Sequence, residues 1–431
     1  MKIYRYPEKE EWAVIAGRVK RGVPEQVRSA VSSIISDVRR GGDGEVVRYE
    51  KILDGCSAGS VQDLKVTPDE LEAAGTGLPE DLKAAIRTAA ANIRKFHEAQ
   101  KTREVIVETV PGVVCRQRSV PISNVGLYIP GGTAPLFSTV LMLAVPAGIA
   151  GCGRVVMCTP ASRDGSVSPA ILYSAKICGV SEIYKIGGAV AVAAMAYGTQ
   201  TIPKVDKIFG PGNSYVTEAK QQVSQDCAID MPAGPSEVLI IADDSACPEF
   251  VCADFLSQLE HGRDSQAILL TTSARLLEAV DSMLARQCAG LSRKGIIADS
   301  MQKSLAVLFG TEDEMVEFSN FYAPEHLIIA TSDYGRTAEG IRNAGSVFLG
   351  NYSTESAGDY ASGTNHTLPT GGWAVSCSGV SLSAFMKKIT FQEITPDGLR
   401  RLGPVIKSMA LAEGLDAHAN AVEIRLKQLS I

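Results

Sequence analysis

Apolar residues in the first quarter of the chain recur at the three- and four-residue spacing of an amphipathic helix. The pattern predicts two helical regions between residues 20 and 100. Their apolar positions are Val27, Val31, Ile34, Ile35 and Val38 in the first, and Leu82, Ile86, Ile93 and Phe96 in the second. Gly41-Gly-Asp-Gly ends the first helical region, because adjacent glycines break a helix. The region carries no evident catalytic chemistry.

From about residue 122 the pattern changes to short β-branched runs, each followed by a turn and a helical stretch. The four predicted strands of this series are 124–129, 154–158, 182–186 and 205–209. A second series follows, with strands at 237–242 and 266–270 and helices at 248–261 and 276–287. Strands that alternate with helices are typical of parallel sheets with helical crossovers. We therefore expect an α/β fold with two parallel-sheet domains, and after about residue 382 a tail of short helices.

Length, charge and cysteine usage narrow the class of protein. The 431 residues exceed one ordinary core, so two or three domains are expected. A formal net charge of −6 lacks the basic excess that binding to nucleic acid requires. The ten cysteines form no C-x-x-C pair, which indicates a reducing compartment. The N-terminus is too charged for a signal peptide, and the apolar stretch at 140–150 is too short to span a membrane, so we expect a cytoplasmic protein.

Glycine-rich turns follow three of the predicted strands. They are Pro130-Gly-Gly, Gly187-Gly and Gly210-Pro-Gly-Asn. Ligands of open parallel sheets bind at the carboxyl ends of the strands, where glycines let backbone N–H groups approach a phosphate. The chain contains no G-x-G-x-x-G, so the dinucleotide fingerprint is absent. A phosphate or nucleotide site and simple tight turns are therefore equal alternatives.

The chain has five histidines, and four of them stand near carboxylates, amides or turn glycines. These four and their polar neighbours are Gln258 with His261, Glu325 with His326, Asp359 with His366, and Glu413 with His418. Two histidines, an aspartate and a glutamine form an N/O ligand set suited to zinc. Glu325 and His326 supply two titratable groups for proton transfer. Each histidine alone is better explained as a hydrogen-bonded structural residue, but four in polar settings together favour a functional site, and we expect His97 to be a surface or structural residue.

Seven segments in a fixed order resemble the histidinol dehydrogenase family over almost the whole chain. They are GLYIPGGTAPLFSTVLM at 126–142, VDKIFGPGN at 205–213, MPAGPSEV at 231–238, SQLEHG at 257–262, APEHL at 323–327, GDYASGTNH at 358–366 and EGLDAH at 413–418. The resemblance implies NAD-dependent, four-electron oxidation of L-histidinol to L-histidine through L-histidinal, the last steps of histidine biosynthesis.

The resemblance also implies the roles of individual residues. One zinc per subunit is expected on Gln258, His261, Asp359 and His418. His326 is expected to take the alcohol proton, and Glu325 to activate water on the aldehyde. The expected substrate contacts are Ser236, Gln258, His261, His326, Asp359, Glu413 and His418. His366 is expected to line the pocket or to support it.

The NAD contacts of the family carry over to Tyr128 and Asn213, which stand on the glycine-rich turns. The family usually has glutamine directly after Gly187-Gly-Ala, whereas this chain has Val190. Valine cannot make the hydrogen bond of an amide, so this third contact does not carry over. Replacing Val190 with glutamine is expected to tighten NAD binding.

The fold that the resemblance implies has two Rossmann-like domains, an N-terminal helical segment and a C-terminal tail. The tail is expected to reach into the active site of the partner in an intertwined homodimer, so that Glu413 and His418 act in trans. The expected divisions are an extension at 1–20, a discontinuous first domain at 21–127 and 236–381, a second domain with the NAD contacts at 128–235, and a dimerisation tail at 382–431.

Three other functions stay open. A relative could oxidise a different polyol or a sulfonated alcohol, although such a substrate would not need Glu413, His418 and the full zinc set. A zinc hydrolase could use Glu325 to activate water, although the glycine-rich strand ends favour a nucleotide site. A non-catalytic binding protein is the third, and Val190 is the only feature that favours it. Neither a nucleic acid nor a membrane is expected as a partner.

Overall fold

The computed structural model describes residues 1–18, 23–131, 135–232 and 234–429. Within them, two parallel β-sheets are each covered by helices on both faces. This architecture confirms the predicted α/β fold with two parallel-sheet domains. The predicted division between residues 20 and 21, and Gly132 of the first glycine-rich turn, lie outside the described residues.

The larger sheet has six parallel strands. In spatial order they are β1 (Lys2–Arg5), β11 (Leu305–Leu308), β10 (Gln266–Thr271), β9 (Glu237–Ala242), β12 (His326–Ala330) and β13 (Ser346–Leu349). Every residue of β9 and β10 is buried. Helices on both faces cause this burial, which explains why the two strands are almost continuous apolar runs in the sequence.

Two layers of helices cover the six-stranded sheet. One face packs against α10 (Pro248–Leu259), α11 (Ala274–Ala289) and α12 (Lys294–Met301). The other packs against α1 (Trp12–Ile15) and α13 (Glu312–Tyr322). Two short helices, α14 (Tyr334–Glu339) and α15 (Glu355–Tyr360), follow β12 and β13.

The smaller sheet has five parallel strands, in the order β6 (Glu182–Tyr184), β5 (Arg154–Cys158), β4 (Asn124–Tyr128), β7 (Lys207–Phe209) and β8 (Ala228–Ile229). One face packs against α6 (Phe137–Ala150) and α7 (Pro169–Ile177). The other packs against α8 (Gly188–Tyr197), α9 (Ser214–Val223), α2 (Glu25–Gly41) and α3 (Asp43–Leu53). The remaining N-terminal helices are α4 (Pro68–Ala73) and α5 (Glu80–Glu98), and α5 packs on α6.

The packing of the N-terminal helices differs from the expected domain division. Residues 21–127 were expected to join 236–381, but the apolar face of α2 packs in one core with α8 of the five-stranded sheet. Strand β4, which ends at Tyr128, is the central strand of that sheet. The helical periodicity of α2 identifies the face that is buried, but it does not identify the surface against which that face packs.

The C-terminal residues contain a strand and two long helices where short helices were expected. Strand β14 (Met386–Ile394) pairs antiparallel with β3 (Val113–Pro121), which also pairs with β2 (Val105–Val110). The sequence of β14 contains only a short alternation of apolar and polar residues, at 389–392, and most of the strand is exposed, so it has no buried apolar face. It leads into α16 (Pro396–Ala412) and α17 (Asp416–Gln428). Helix α16 continues through Pro404, and Gly403 permits its close packing against α17.

Candidate functional site

A group of charged, imidazole and amide side chains, all buried except His261, lies at the amino edge of the six-stranded sheet. We call it the histidine cluster, and its members are Glu237, Gln258, His261, Glu325, His326, Glu355 and Asp359. Glu237 is the first residue of β9 and His326 is the first residue of β12, and these two strands are neighbours in the sheet. The parallel pairing therefore places both strand starts at one edge.

His326 stands at the centre of the histidine cluster and is surrounded by carboxylates. Its Nδ1 lies 3.6 Å from Oε2 of Glu325 and 3.7 Å from Oε1 of Glu355. Its Nε2 lies 3.6 Å from Oδ1 of Asp359. The Nδ1 atom also lies 3.3 Å from the backbone carbonyl of Glu237. The imidazole is 4% exposed, so these groups and not bulk water determine its charge.

Burial and neighbouring charges shift the pKa values of the predicted acid–base pair. Burial raises the pKa of Glu325 to about 8, although the imidazole of His326 and the N–H of Glu237 oppose the rise. Burial alone would lower the pKa of His326, but Glu355, Glu325 and Asp359 together raise it to about 10. The metal-free protein therefore favours an imidazolium within this ring of carboxyl groups.

The end of α10 supplies the next two members of the histidine cluster. Gln258 is fully buried, and with its amide oriented to suit its neighbours it donates to both carboxylate oxygens of Glu355, one of them at 2.9 Å. The amide oxygen accepts from the backbone N–H of Glu237 at 3.1 Å. His261 follows the helix, and its Nε2 lies 3.7 Å from Oδ2 of Asp359. Its side chain is 41% exposed, so it faces the open side of the cluster.

Glu355 is a member of the histidine cluster that the sequence interpretation missed. Among the residues that the structure describes, His261, Glu355 and Asp359 offer donor atoms within 4.8 Å of one another, as binding of one cation requires. Glu355 and Asp359 stand four residues apart on α15 and so share one helix face. That spacing was visible in the sequence and could have identified Glu355.

His366 links the histidine cluster to the other sheet. Its Nδ1 lies 2.9 Å from the carbonyl of Asp359, and its Nε2 lies 3.2 Å from the hydroxyl of Thr139 on α6. The adjacent Asn365 donates to the carbonyl of Met142 at 2.6 Å. The end of α15, which carries Asp359, is therefore connected through His366 and Asn365 to α6, the helix that follows β4.

Three residues that were predicted to bind substrate or metal, Ser236, Glu413 and His418, are not among the members of the histidine cluster. Ser236 directly precedes Glu237, and its carbonyl accepts from the N–H of Gln266 at 3.1 Å. Glu413 and His418 are exposed on the C-terminal helices, and none of their described contacts reaches the histidine cluster. One chain therefore does not bring His418 together with His261 and Asp359.

His97 is fully buried on α5, where its Nδ1 lies 2.9 Å from the carbonyl of Ile93. Of the two predicted alternatives, the structural residue is confirmed and the surface residue is wrong. The polar residues next to His97 in sequence point away from the core side of the helix, which is why sequence alone left both open.

The glycine-rich turns lie together at the carboxyl edge of the five-stranded sheet. We call this region the glycine edge and define it by Tyr128, Gly187, Gly188, Gly210 and Asn213. The buried Tyr128 hydroxyl accepts from the N–H of Gly188 at 3.1 Å. Gly210 has a φ of +125°, and a Cβ there would lie 2.1 Å from the carbonyl oxygen of Tyr128. Only glycine fits this close approach.

The structure shows where two side chains that bear on the predicted NAD binding lie, those of Asn213 and Val190. The Asn213 side chain caps α9, accepting from the N–H groups of Tyr215 at 3.0 Å and Val216 at 3.1 Å. Val190 is 1% exposed and packs in the core between the helices and the sheet. A glutamine at position 190 would therefore have to place its amide in a buried, apolar position.

The two parallel sheets, the glycine edge and the buried histidine–carboxylate cluster define the chain as an α/β enzyme. The sequence model of histidinol dehydrogenase matches residues 18–426. Histidinol dehydrogenases of Bacteroides fragilis and Bacteroides thetaiotaomicron are 55% and 54% identical to this chain, and each alignment covers 100% of both chains. The chain thus belongs to the histidinol dehydrogenase family and is an oxidoreductase.

A solved structure agrees with this assignment. The crystal structure of histidinol dehydrogenase from Elizabethkingia anophelis superposes with a TM-score of 0.96 at 49% identity, and covers 100% of this chain and 99% of that one. The fold of this chain is therefore the fold of a histidinol dehydrogenase. Among the helices of the described ranges, none combines the length and apolarity needed to cross a membrane.

Proposed function

We propose that this chain oxidises L-histidinol to L-histidine through L-histidinal, with two NAD reduced in succession, as the last steps of histidine biosynthesis. The observation that carries the proposal is the enclosure of His326 by Glu325, Glu355 and Asp359 beside a group that can hold a cation. Membership of the family supplies the substrate, and the cluster supplies the proton acceptors that the oxidation needs.

The residues present fit a zinc ion. Nitrogen and oxygen ligands lie about 2.0–2.2 Å from zinc, so two of them on one ion lie within roughly 4 Å of each other, and Nε2 of His261 lies 3.7 Å from Oδ2 of Asp359. We assign the metal to Gln258, His261, Asp359 and His418, and place Glu355 beside it as the hydrogen-bond partner of Gln258. Bound zinc would hold the imidazole and amine of histidinol in place for reaction.

Proton transfer falls to the chain's own residues. In the first oxidation His326 accepts the alcohol proton while the carbon-bound hydride passes to NAD. In the second, Glu325 accepts a proton from the water that adds to the aldehyde, and the hydrate gives a hydride to a second NAD. Glu355 and Glu325, with a smaller contribution from Asp359, raise the pKa of His326 in the metal-free protein. A cation bound by Asp359 would weaken the contribution of that carboxylate.

The cofactor would lie at the glycine edge, where Tyr128 and Asn213 stand. The partial positive charge at the start of α9, directly after the Gly210 turn, favours a phosphate. His366 contacts both the backbone of Asp359 on α15 and Thr139 on α6, the helix that follows β4. Because this contact links the two regions, it favours an arrangement in which a substrate at the histidine cluster is within reach of the nicotinamide of a cofactor at the glycine edge.

The complete site would form in a homodimer, with Glu413 and His418 supplied by the tail of a second copy. The support is that both residues are exposed and that none of their described contacts reaches the cluster of their own chain. The tail also exposes many large apolar side chains, as expected of a surface that is covered in an assembly. They are Ile389, Phe391, Ile394, Val405, Met409, Leu411, Leu415 and Ile424.

The product ratio tests this function. Zinc-loaded protein with limiting L-histidinol and excess NAD should form about two NADH per substrate, because the alcohol and the aldehyde are each oxidised once. Absence of NADH would contradict the whole proposal. A ratio of one, with histidinal as the product, would contradict only the role of Glu325. Protein stripped of zinc by a chelator serves as the matched control and should form no NADH until zinc is restored.

A further inference from the structure

Arg18 forms a dense set of contacts beneath the histidine cluster. Its Nε lies 2.7 Å from Oε1 of Glu237, and its Nη2 lies 3.2 Å from Oε2 of the same carboxylate. The side chains of Arg18 and Glu237 are only 15% and 7% exposed. This two-point pairing in a largely dry environment is the strongest geometry for an arginine and a carboxylate.

The backbone of Glu237 connects this ion pair to the acid–base residues. Its N–H donates to Oε2 of Glu325 at 2.9 Å, and its carbonyl lies 3.3 Å from Nδ1 of His326. The same N–H faces the amide oxygen of Gln258 at 3.1 Å. One residue thus contacts both proton-transfer groups through its backbone and Arg18 through its side chain.

Arg18 also contacts the turn that leads into Glu325 and His326. It donates to the carbonyls of Tyr322 and Ala323, the latter at 3.1 Å, and its guanidinium stacks 3.7 Å from the centre of the Tyr322 ring. Ala323 has a φ of +51°, a left-handed conformation that is costly for a residue with a Cβ. Hydrogen bonds from Arg18 to both carbonyls hold the chain in this conformation two residues before Glu325.

We propose that Arg18 and Glu237 form a positioning pair that sets the geometry of Glu325 and His326 for proton transfer. The inference rests on the proposed function of those two residues. The side-chain hydrogen bonds of Arg18 go to Glu237, Tyr322 and Ala323, and none of these residues is a predicted metal ligand or substrate contact. Its loss should therefore slow turnover while leaving the binding of zinc, histidinol and NAD nearly intact.

The test compares full-length, zinc-loaded variants in the two-step NADH assay. Arg18→Ala should lower kcat roughly 10- to 100-fold, because a displacement of about 1 Å costs on that order. The KM values for histidinol and NAD and the zinc content should stay near those of the parent protein. Arg18→Lys should recover part of kcat, since it keeps the charge but loses the two-point geometry.

A variant of Glu237, the double variant and one control variant test the inference further. Glu237→Gln preserves size and the backbone contacts, and it should lower kcat as Arg18→Ala does even if the alanine variant fails to fold. The double variant should be no slower than the slower single variant, because the two residues act as one unit. Lys9→Ala is the matched control, since it removes another N-terminal ion pair, 2.6 Å from Glu317, on the exposed side of α13.

The outcomes separate this inference from the proposed function. Parent-like kcat in folded Arg18→Ala or in Glu237→Gln would overturn the positioning role, as would an equal loss in Lys9→Ala. Loss of zinc or a large rise in KM with unchanged kcat would also overturn it. If Glu325→Gln and His326→Ala retained full turnover, the proposed function itself would fail. Failure of the positioning role alone would leave those two variants inactive and Arg18→Ala active.

Discussion

The glycine edge and the histidine cluster are built by different means. At the glycine edge, short segments that follow β4, β6 and β7 meet, and backbone N–H groups, tight turns and one buried tyrosine form the surface. At the histidine cluster, side chains from α10, α15 and the starts of β9 and β12 converge. The first arrangement depends on local conformation, whereas the second depends on long-range packing.

The two regions also differ in how they handle charge. The histidine cluster buries several carboxyl groups but surrounds them with His326, the amide of Gln258 and the guanidinium of Arg18. The glycine edge also buries charge: Gly210 donates its N–H to Asp230 at 2.8 Å and accepts at its carbonyl from Lys220 at 2.9 Å, and these two side chains form an ion pair. Glu50 accepts from the N–H of Gly187 at 3.2 Å. Buried charge therefore holds backbone turns at the glycine edge, whereas in the cluster it surrounds the acid–base pair.

The largest expected effect concerns His326. His326→Ala should lower kcat by roughly 100- to 10,000-fold, the usual contribution of a general acid–base residue, while zinc content stays at one per chain by metal analysis. The physical reason is that the imidazole accepts the alcohol proton without holding the metal. Loss of zinc from a folded variant would show that His326 is a ligand and that the distinction between metal and proton roles in the cluster is wrong.

A mixing experiment tests whether the histidine cluster is completed by a second chain. His326→Ala and His418→Ala should each be inactive alone. If the tail acts in trans, random reassembly of equal amounts should restore about a quarter of parent activity, because half of the dimers are mixed and each has one intact site. If the tail acts in cis, no mixture regains activity. Parent protein taken through the same reassembly is the control for recovery.

Val190→Gln tests the glycine edge. The sequence suggested that this change would tighten NAD binding, but Val190 lies in the core at 1% exposure. A buried amide without a partner costs about 1–3 kcal/mol of unfolding free energy. We therefore expect a lower Tm with no decrease in the KM for NAD. Val190→Ala provides the comparison for lost packing alone, and tighter NAD binding by the glutamine variant would show that the helix start can turn its side chain toward the ligand.

The smallest expected effect is a pH-dependent change at Glu50. Burial, with a further contribution from Asp54, raises the pKa of Glu50 from 4.5 to about 9 in the folded protein. Its contribution to stability is therefore fully present below pH 4.5 and is lost as the pH rises from 4.5 through about 9. Glu50→Gln should raise Tm at pH 8 by about 2–4 °C, with the gain shrinking toward pH 5. A lower Tm at pH 8 would show that the charged carboxylate stabilises the Gly187 turn.

Much of the candidate site could be predicted because its residues stand in recognisable local segments. His261, Glu325, His326 and Asp359 meet in the cluster as their grouping suggested. Glu355 was missed although its four-residue spacing from Asp359 carried a signal. Arg18 could not have been found, because its partner Glu237 lies 219 residues away in the chain. No local pattern encodes such a pairing.

The sequence by itself determined the local elements of this protein. Continuous apolar runs such as β9 required a strand buried on both faces, and Gly210 required a turn that no side chain could occupy. The tertiary structure alone decided which sheet α2 and α3 cover, that exposed β14 pairs with β3, and that Arg18 supports Glu325 and His326. Periodicity records which face of an element is buried, but the partner of that face is chosen by packing among distant segments.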